Sequence, residues 1–133
     1  LGLVPALEWL TNDISEQFKI PIKITIRGVE KHLSPDAALA VFRIAQESLR
    51  NACRHSGASK IQVDLKYESK KMTLSITDNG KGFDLPKDTG VLIMRGKLGV
   101  VGMYERAQLI GADLSIKSKE KKGTSVTLEV NIK

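Results

Sequence analysis

The sequence of 133 residues has a single cysteine and no apolar run approaching the length of a membrane span. Cys53 alone excludes an internal disulfide and fits a reducing compartment. Between Ala52 and Arg54 in a helical pattern, it reads as a small packing residue rather than a reactive thiol. No signal peptide is visible. The opening LGLVPALEWL has neither a basic leader nor an initiator Met, so the sequence reads as a piece of something longer. Internal repeats are missing, and so are three common nucleotide signatures. Gly90 and Gly96 are separated by five residues and Lys97 is followed by Leu98, which excludes a Walker A loop. Neither a dinucleotide fingerprint nor the motifs of serine/threonine kinases can be found.

The residues present are those of one ordinary soluble domain, 41% hydrophobic and 27% charged, long enough to bury a core. A net charge of +6 admits nucleic acid, phosphates or an anionic membrane surface as partners. The basic residues are spread along the chain, however, and the densest group, KSKEKK at 117–122, reads as a solvated hairpin turn between alternating apolar segments. Charge alone selects no partner.

Periodicity supplies the elements. Leu7, Leu10, Ile14 and Phe18 recur at helical steps and Pro5 suits a first turn, which predicts a helix over 5–19. Ile22, Ile24 and Ile26 alternate as a strand ending at Gly28. Ser34-Pro35-Asp36 combines a cap, a proline at the first helical position and an acid in the first turn, predicting a helix to about His55 with Gly57 just beyond. Two strands follow, Ile61 to Tyr67 and Met72 to Ile76, joined by ESKK; then a helix from about Val100 to Ile110, stopped by Gly111. Two last strands carry Leu114 and Ile116, then Val126, Leu128, Val130 and Ile132. Strict alternation means that each strand buries one face, so three helices cover one side of the sheet in a two-layer α/β sandwich. Residues 80–102 show no periodicity and hold six of the eleven glycines, the mark of a loop that is either functional or mobile and the place expected for a ligand lid.

Four groups carry chemistry. In QESLRNACRHS, Glu47 and Asn51 are four apart and share a helix face, two oxygen-bearing groups that suit Mg2+, with Arg54 and His55 one turn further for phosphate oxygens. A solvated Glu–Arg ladder is the alternative. Asp78 has the parity of the buried face, where a carboxylate needs good donors such as the exocyclic amine of a purine. A hairpin at Asn79-Gly80 is the alternative there, but no matching strand follows. In GKLGVVGMYERA, Gly99 and Gly102 bring bare backbone to a helix start, a site for an anion or simply a flexible loop. Thr124, after Gly123, shares the inward parity of Val126 and Leu128, either facing Asp78 or acting as a plain strand residue. Together the four groups outline a nucleotide pocket beneath a glycine-rich lid.

With those residues in place, the sequence resembles the catalytic ATP-binding domain of bacterial two-component sensor histidine kinases, the Bergerat fold shared with gyrase and MutL ATPases. The resemblance covers essentially the whole chain. Residues 42–52, FRIAQESLRNA, with Arg54-His55 are similar to the family's asparagine box. Asp78-Asn79-Gly80-Lys81-Gly82 resembles the first glycine box, Gly99-Val100-Val101-Gly102-Met103 the second, and Gly123-Thr124 the last. RIAQES, NACRHSGAS and GMYERAQLIGA are similar to the subfamily that works with NarL/LuxR-type response regulators.

The resemblance implies a mixed sheet of about five strands with three helices on one face, and a single domain over 1–133. It implies ATP as substrate and Mg2+ as cofactor, with Glu47 and Asn51 as catalytic and metal residues. Arg54 and His55 lie along the phosphates, Asp78 accepts from the adenine amino group, and Gly80, Gly82 and Thr124 shape that wall. Gly99, Val100, Gly102 and Met103 form the lid side. Lys97 stands where relatives have the first glycine of the second box, and an own contact with phosphate is expected of it. Neither His32 nor His55 has the context of a phosphoacceptor, so the acceptor is expected on a separate dimerisation domain of the same protein. The implied parent is a cytoplasmic kinase, homodimeric, signalling to a response regulator and not to nucleic acid, with the isolated domain a monomer. A non-kinase ATPase of the same fold, in which Glu47 activates water, is the nearest rival. A basic GxxG module of the KH type is a remote one, and it leaves Asp78 and the Glu47–Asn51 pair unexplained.

Overall fold

Ser34 opens the longest helix as its sequence predicts. In the computed structural model, which describes residues 2–55, 57–82 and 98–132, Ser34 Oγ accepts from the Ala37 N–H at 3.2 Å. The Ser34 carbonyl accepts from the Ala38 N–H at 2.9 Å. With the first donors satisfied and Asp36 in the first turn, α2 runs Pro35–His55. The first helix, α1, spans Leu3–Phe18, starting two residues before Pro5, which the first turn tolerates. Lys19 closes it in the left-handed conformation, φ 57°, while Ser15 Oγ donates to the Ile20 carbonyl at 2.7 Å. The third described helix, α3, covers Leu98–Leu109, beginning two residues before the expected Val100. It ends where the amides of Ile110 and Ala112 return to the Ala107 carbonyl and that of Gly111 to Gln108.

Five strands, β1 (Ile22–Arg27), β2 (Ile61–Tyr67), β3 (Lys71–Asp78), β4 (Asp113–Ser118) and β5 (Thr124–Asn131), form one sheet in the order β1-β2-β3-β5-β4. β1 and β2 are parallel, and α2 provides the crossover such a pair requires. The other pairs are antiparallel, so the sheet is mixed. The registers align Ile26, Leu65, Leu74, Leu128 and Leu114 in one row across all five strands.

This face meets the helices. Leu7, Leu10 and Ile14 of α1, Val41, Ile44 and Leu49 of α2, and Met103 and Ala107 of α3 join the strand residues in one core. α2 lies in the middle, packed on α1 and on α3. The opposite face of the sheet presents Arg27, Asp64, Lys66, Thr73, Ser75 and Glu129 around a polar cleft. Lys71 and Glu129 approach to 3.9 Å there, an exposed pair that adds little stability. The two-layer sandwich with three helices on one side therefore matches the expectation from alternation. No described helix is long and apolar enough to cross a membrane.

Leu74, at the centre of the row, is 1% exposed. Leu74→Ala is expected to lower the unfolding free energy by about 2–5 kcal/mol in denaturant titration. A change under about 1 kcal/mol would contradict a core centred on this row.

Candidate functional site

The topology brings the end of β3, the start of β5 and the last turns of α2 to one end of the sheet. Asp78 ends β3, paired across to Thr124 on one side and Ile61 on the other. Only 8% of it is exposed. The Gly80 N–H donates to Asp78 Oδ1 at 2.8 Å. Burial pushes the carboxyl up from its ordinary range, and the backbone amides of Gly80 and Thr124 pull it part of the way back. The Cys53 thiol on α2 is likewise pushed up, by its own burial first and then by the charge of Asp78.

Glycine is required beside this acid. Gly123 has φ 79°, and a Cβ there would run into the Asp78 carbonyl. Thr124 Oγ1 lies 2.8 Å from Ser118 Oγ, so its hydroxyl is held by β4 at the mouth of the site. Asp78 and Thr124 share a cavity of about 240 Å³ with Lys117, Lys119 and Lys122. The turn carrying these lysines is tied to the first glycine box, the Lys121 amide donating to the Lys81 carbonyl, and Gly82 packs on the Lys119 carbonyl.

Asn79 has a role that the sequence reading missed. Its Oδ1 accepts from the amides of Ser59 and Lys60 at 2.9 and 3.2 Å, and its Nδ2 donates to Ser59 Oγ at 2.9 Å. The side chain thus clamps the segment after α2 to the end of β3, which sets the distance between the asparagine box and Asp78. The available signal was the polar Asn in a turn that led to no hairpin.

On α2, Glu47 and Asn51 are half-buried and Arg54 is exposed on the same stripe. The Glu47 carboxylate lies directly against Gly99 near the start of α3: a Cβ on Gly99 would overlap the carboxylate, 2.7 Å from its Cδ. One residue on, Ser48 is buried, donates to the Ile44 carbonyl at 2.8 Å and lies 3.2 Å from Met103 Sδ. Val100 and Met103 are buried in the core and anchor α3 to α2. Gly102 stands inside α3, faced by the Arg106 guanidinium. Arg50, which the sequence reading did not single out, has its Nε buried without a hydrogen-bond partner among the described residues. The His55 side chain and Lys97 lie outside the described residues.

The site therefore has two ends. The buried Asp78 carboxylate stands at the end of β3, and on α2 the Glu47 carboxylate meets the start of α3, with Asn51 and Arg54 further along the same helix stripe. Among the described residues no cluster of three or more His, Cys, Asp or Glu could hold a metal alone. A cation at Glu47 and Asn51 would need oxygens from a ligand, the usual arrangement for Mg2+ with phosphates.

The raised Asp78 carboxyl has a consequence for stability. A folded-state value above the unfolded one means that the folded chain holds its proton longer, so stability falls as pH rises through the unfolded and then the folded value. Asp78→Asn removes the buried charge. Its melting temperature is expected to exceed that of the wild type at pH 7, with the gain shrinking as pH falls through the raised value to the ordinary carboxyl range. A variant less stable at pH 7, or a gain unchanged by pH, would contradict this in thermal unfolding across pH 3–8.

Comparison with known proteins places the chain in a family and a fold. Residues 36–133 match the family described as histidine kinase-, DNA gyrase B- and HSP90-like ATPases. The chain is 32% identical over 132 residues to the signal transduction histidine-protein kinase/phosphatase DegS of Brevibacillus brevis, covering 99% of this chain and 33% of that protein. It is 39% identical over 127 residues to the sensor histidine kinase MctS of Rhizobium johnstonii, covering 96% of this chain and 27% of the relative. The chain thus spans about a third of the length of these relatives. In fold it is similar to the histidine kinase domain of the Erythrobacter litoralis EL346 blue-light activated kinase, with TM-score 0.77 at 20% identity, over 99% of this chain and 62% of that one. The Acinetobacter baumannii histidine kinase AdeS gives TM-score 0.77 at 16% identity, over 99% and 66%. With the family model matching most of the chain, the chain belongs to the histidine kinase-, DNA gyrase B- and HSP90-like ATPases.

Proposed function

We propose that this domain binds Mg-ATP and presents the γ-phosphoryl group to a histidine on a separate dimerisation domain, within a two-component sensor histidine kinase. The observation that carries the reading is Asp78: a carboxylate buried at the end of a central strand, with backbone donors from Gly80 and Thr124 and oxygen capacity left for an amino group. The adenine amine supplies such a donor.

Asn51 and Glu47 would hold Mg2+, which when bound neutralises charge on the phosphates. Arg54 extends the same stripe for a phosphate oxygen. Phosphoryl transfer needs little covalent work from a protein, mainly position and charge neutralisation. The clamp of Asn79 and the anchoring of α3 through Ser48 and Met103 supply position. The acceptor histidine belongs to a partner domain of the same protein, working as a homodimer in the cytoplasm and passing phosphate to a response regulator of the NarL/LuxR type. His55 and Lys97 complete the phosphate side in this reading, with Gly80, Gly82 and Thr124 on the adenine side.

Asn51→Ala tests the metal role in a chain joined to its dimerisation domain. Phosphorylation of the acceptor histidine is expected to fall by about 10- to 100-fold, the scale of a lost metal contact. Unfolding free energy should change by no more than about 1 kcal/mol at this half-buried position. Transfer at the wild-type rate by the folded variant would refute the role.

A further inference from the structure

The lysines of KSKEKK have no role in the nucleotide reading, yet the fold gathers three of them around one cavity. Side chains alternate along a strand, so where Asp78 and Thr124 have the parity of the helix side, their neighbours Thr77 and Ser125 face the open side of the sheet. The registers align Thr77 and Ser125 with Lys117 of β4, and on the other side with Gln62 and Lys23, a row that contains no acid. Asp64 and Glu129 stand in the next two rows. Thr77, Ser125 and Lys117, joined by Lys119 and Lys122 from the turn, line the cavity of about 240 Å³ that borders the ends of β3 and β5. Liquid water takes about 30 Å³ per molecule, so several waters or one small oxyanion fit.

The turn that carries the lysines is held by its own bonds. Ser118 Oγ donates to the Gly123 carbonyl at 3.3 Å and the Lys122 amide to the Lys119 carbonyl at 3.1 Å, while the Lys121 amide reaches the Lys81 carbonyl. Lys121 is fixed in the left-handed region at φ 67°. Lys119 and Lys122 therefore leave from set backbone positions, and the repulsion between their charges is relieved when an anion lies between them. The donor types select among anions. An arginine fork matches the two coplanar oxygens of a carboxylate, whereas lysines act as point charges and serve phosphate. Three ammonium groups and two hydroxyls, arriving from β3, β4, β5 and the turn, suit an oxyanion with more than two oxygens. We infer that this cavity on the open face is a binding site for a phosphate group, distinct from the adenine end on the helix side. The inference does not depend on the nucleotide reading. A ligand there would hold the strand ends that carry Asp78 and Thr124.

Amide NMR of the folded, isotope-labelled chain tests this by titration with inorganic phosphate, with acetate at the same ionic strength, and with vesicles of phosphatidylcholine and phosphatidic acid in equal parts. Saturable shifts at Thr77, Ser125 and residues 117–123 are expected with phosphate and not with acetate. The same amides responding to the vesicles as well would identify a lipid headgroup as the source, and a response to inorganic phosphate alone a soluble phosphate compound. The double variant Lys119→Gln/Lys122→Gln, at two exposed positions, is expected to bind phosphate at least about tenfold more weakly, the scale of nearby charges at partial screening. Thr77→Val should weaken it by about tenfold, the scale of a hydrogen bond to a charged group. Equal shifts with acetate, an affinity undiminished in either variant, or phosphate shifts confined to the start of α3 would overturn the inference and leave the nucleotide reading untouched.

Discussion

The pairing of β3 with β5, from Lys71 against Asn131 to Asp78 against Thr124, is the constraint on which the rest depends. Side chains alternate along a strand, so a slip of one residue would turn Met72, Leu74 and Ile76 out of the core and swing Asp78 to the polar face. The apolar residues of β3 thus hold the carboxylate inside. β5 brings Gly123 and Thr124 to its side in the same register, and Gly123 admits the approach of the Asp78 carbonyl that any Cβ would block. One ladder sets both the core and the position of the acid.

The site runs against the stability of the fold. A carboxyl pushed up by burial is a cost that an asparagine or an apolar residue would avoid, and local rules are broken in this way where function demands it. Glycine inside α3 is a second such cost, about 1 kcal/mol relative to alanine. Both are offset by the row of leucines and isoleucines in the core. Asn79 shows how precision is added: three hydrogen bonds from one side chain tie two loops that would otherwise be free to separate.

Much of this was legible in the sequence because it is local. The Ser34 cap, the alternation of β2 and β3 and the inward parity of Asp78 all follow from neighbours within a few residues, and the described chain follows them. The placement of β5 between β3 and β4 was not legible, because strand order depends on pairings distant in sequence. Nor was the direction of Glu47: its helical position puts it on a face with Asn51, while its contact with Gly99 depends on how α3 docks on α2. Gly99 and Gly102 looked alike as members of one box, yet the first, at the start of α3, is pressed by the Glu47 carboxylate and the second, further into the helix, is faced by the Arg106 guanidinium. Helix boundaries drifted by two residues at α1 and α3, where Pro5 and the glycines of α3 send mixed signals.

The central claim is that Asp78 reads an adenine. Direct competition between ATP and GTP for the folded chain, each with Mg2+, tests it most simply, because adenine offers an amino donor where guanine offers a carbonyl acceptor. ATP is expected to bind, GTP at the same concentration is expected not to displace it, and Asp78→Asn is expected to lose ATP while remaining folded. Equal binding of ATP and GTP, or ATP binding undiminished in Asp78→Asn, would contradict it.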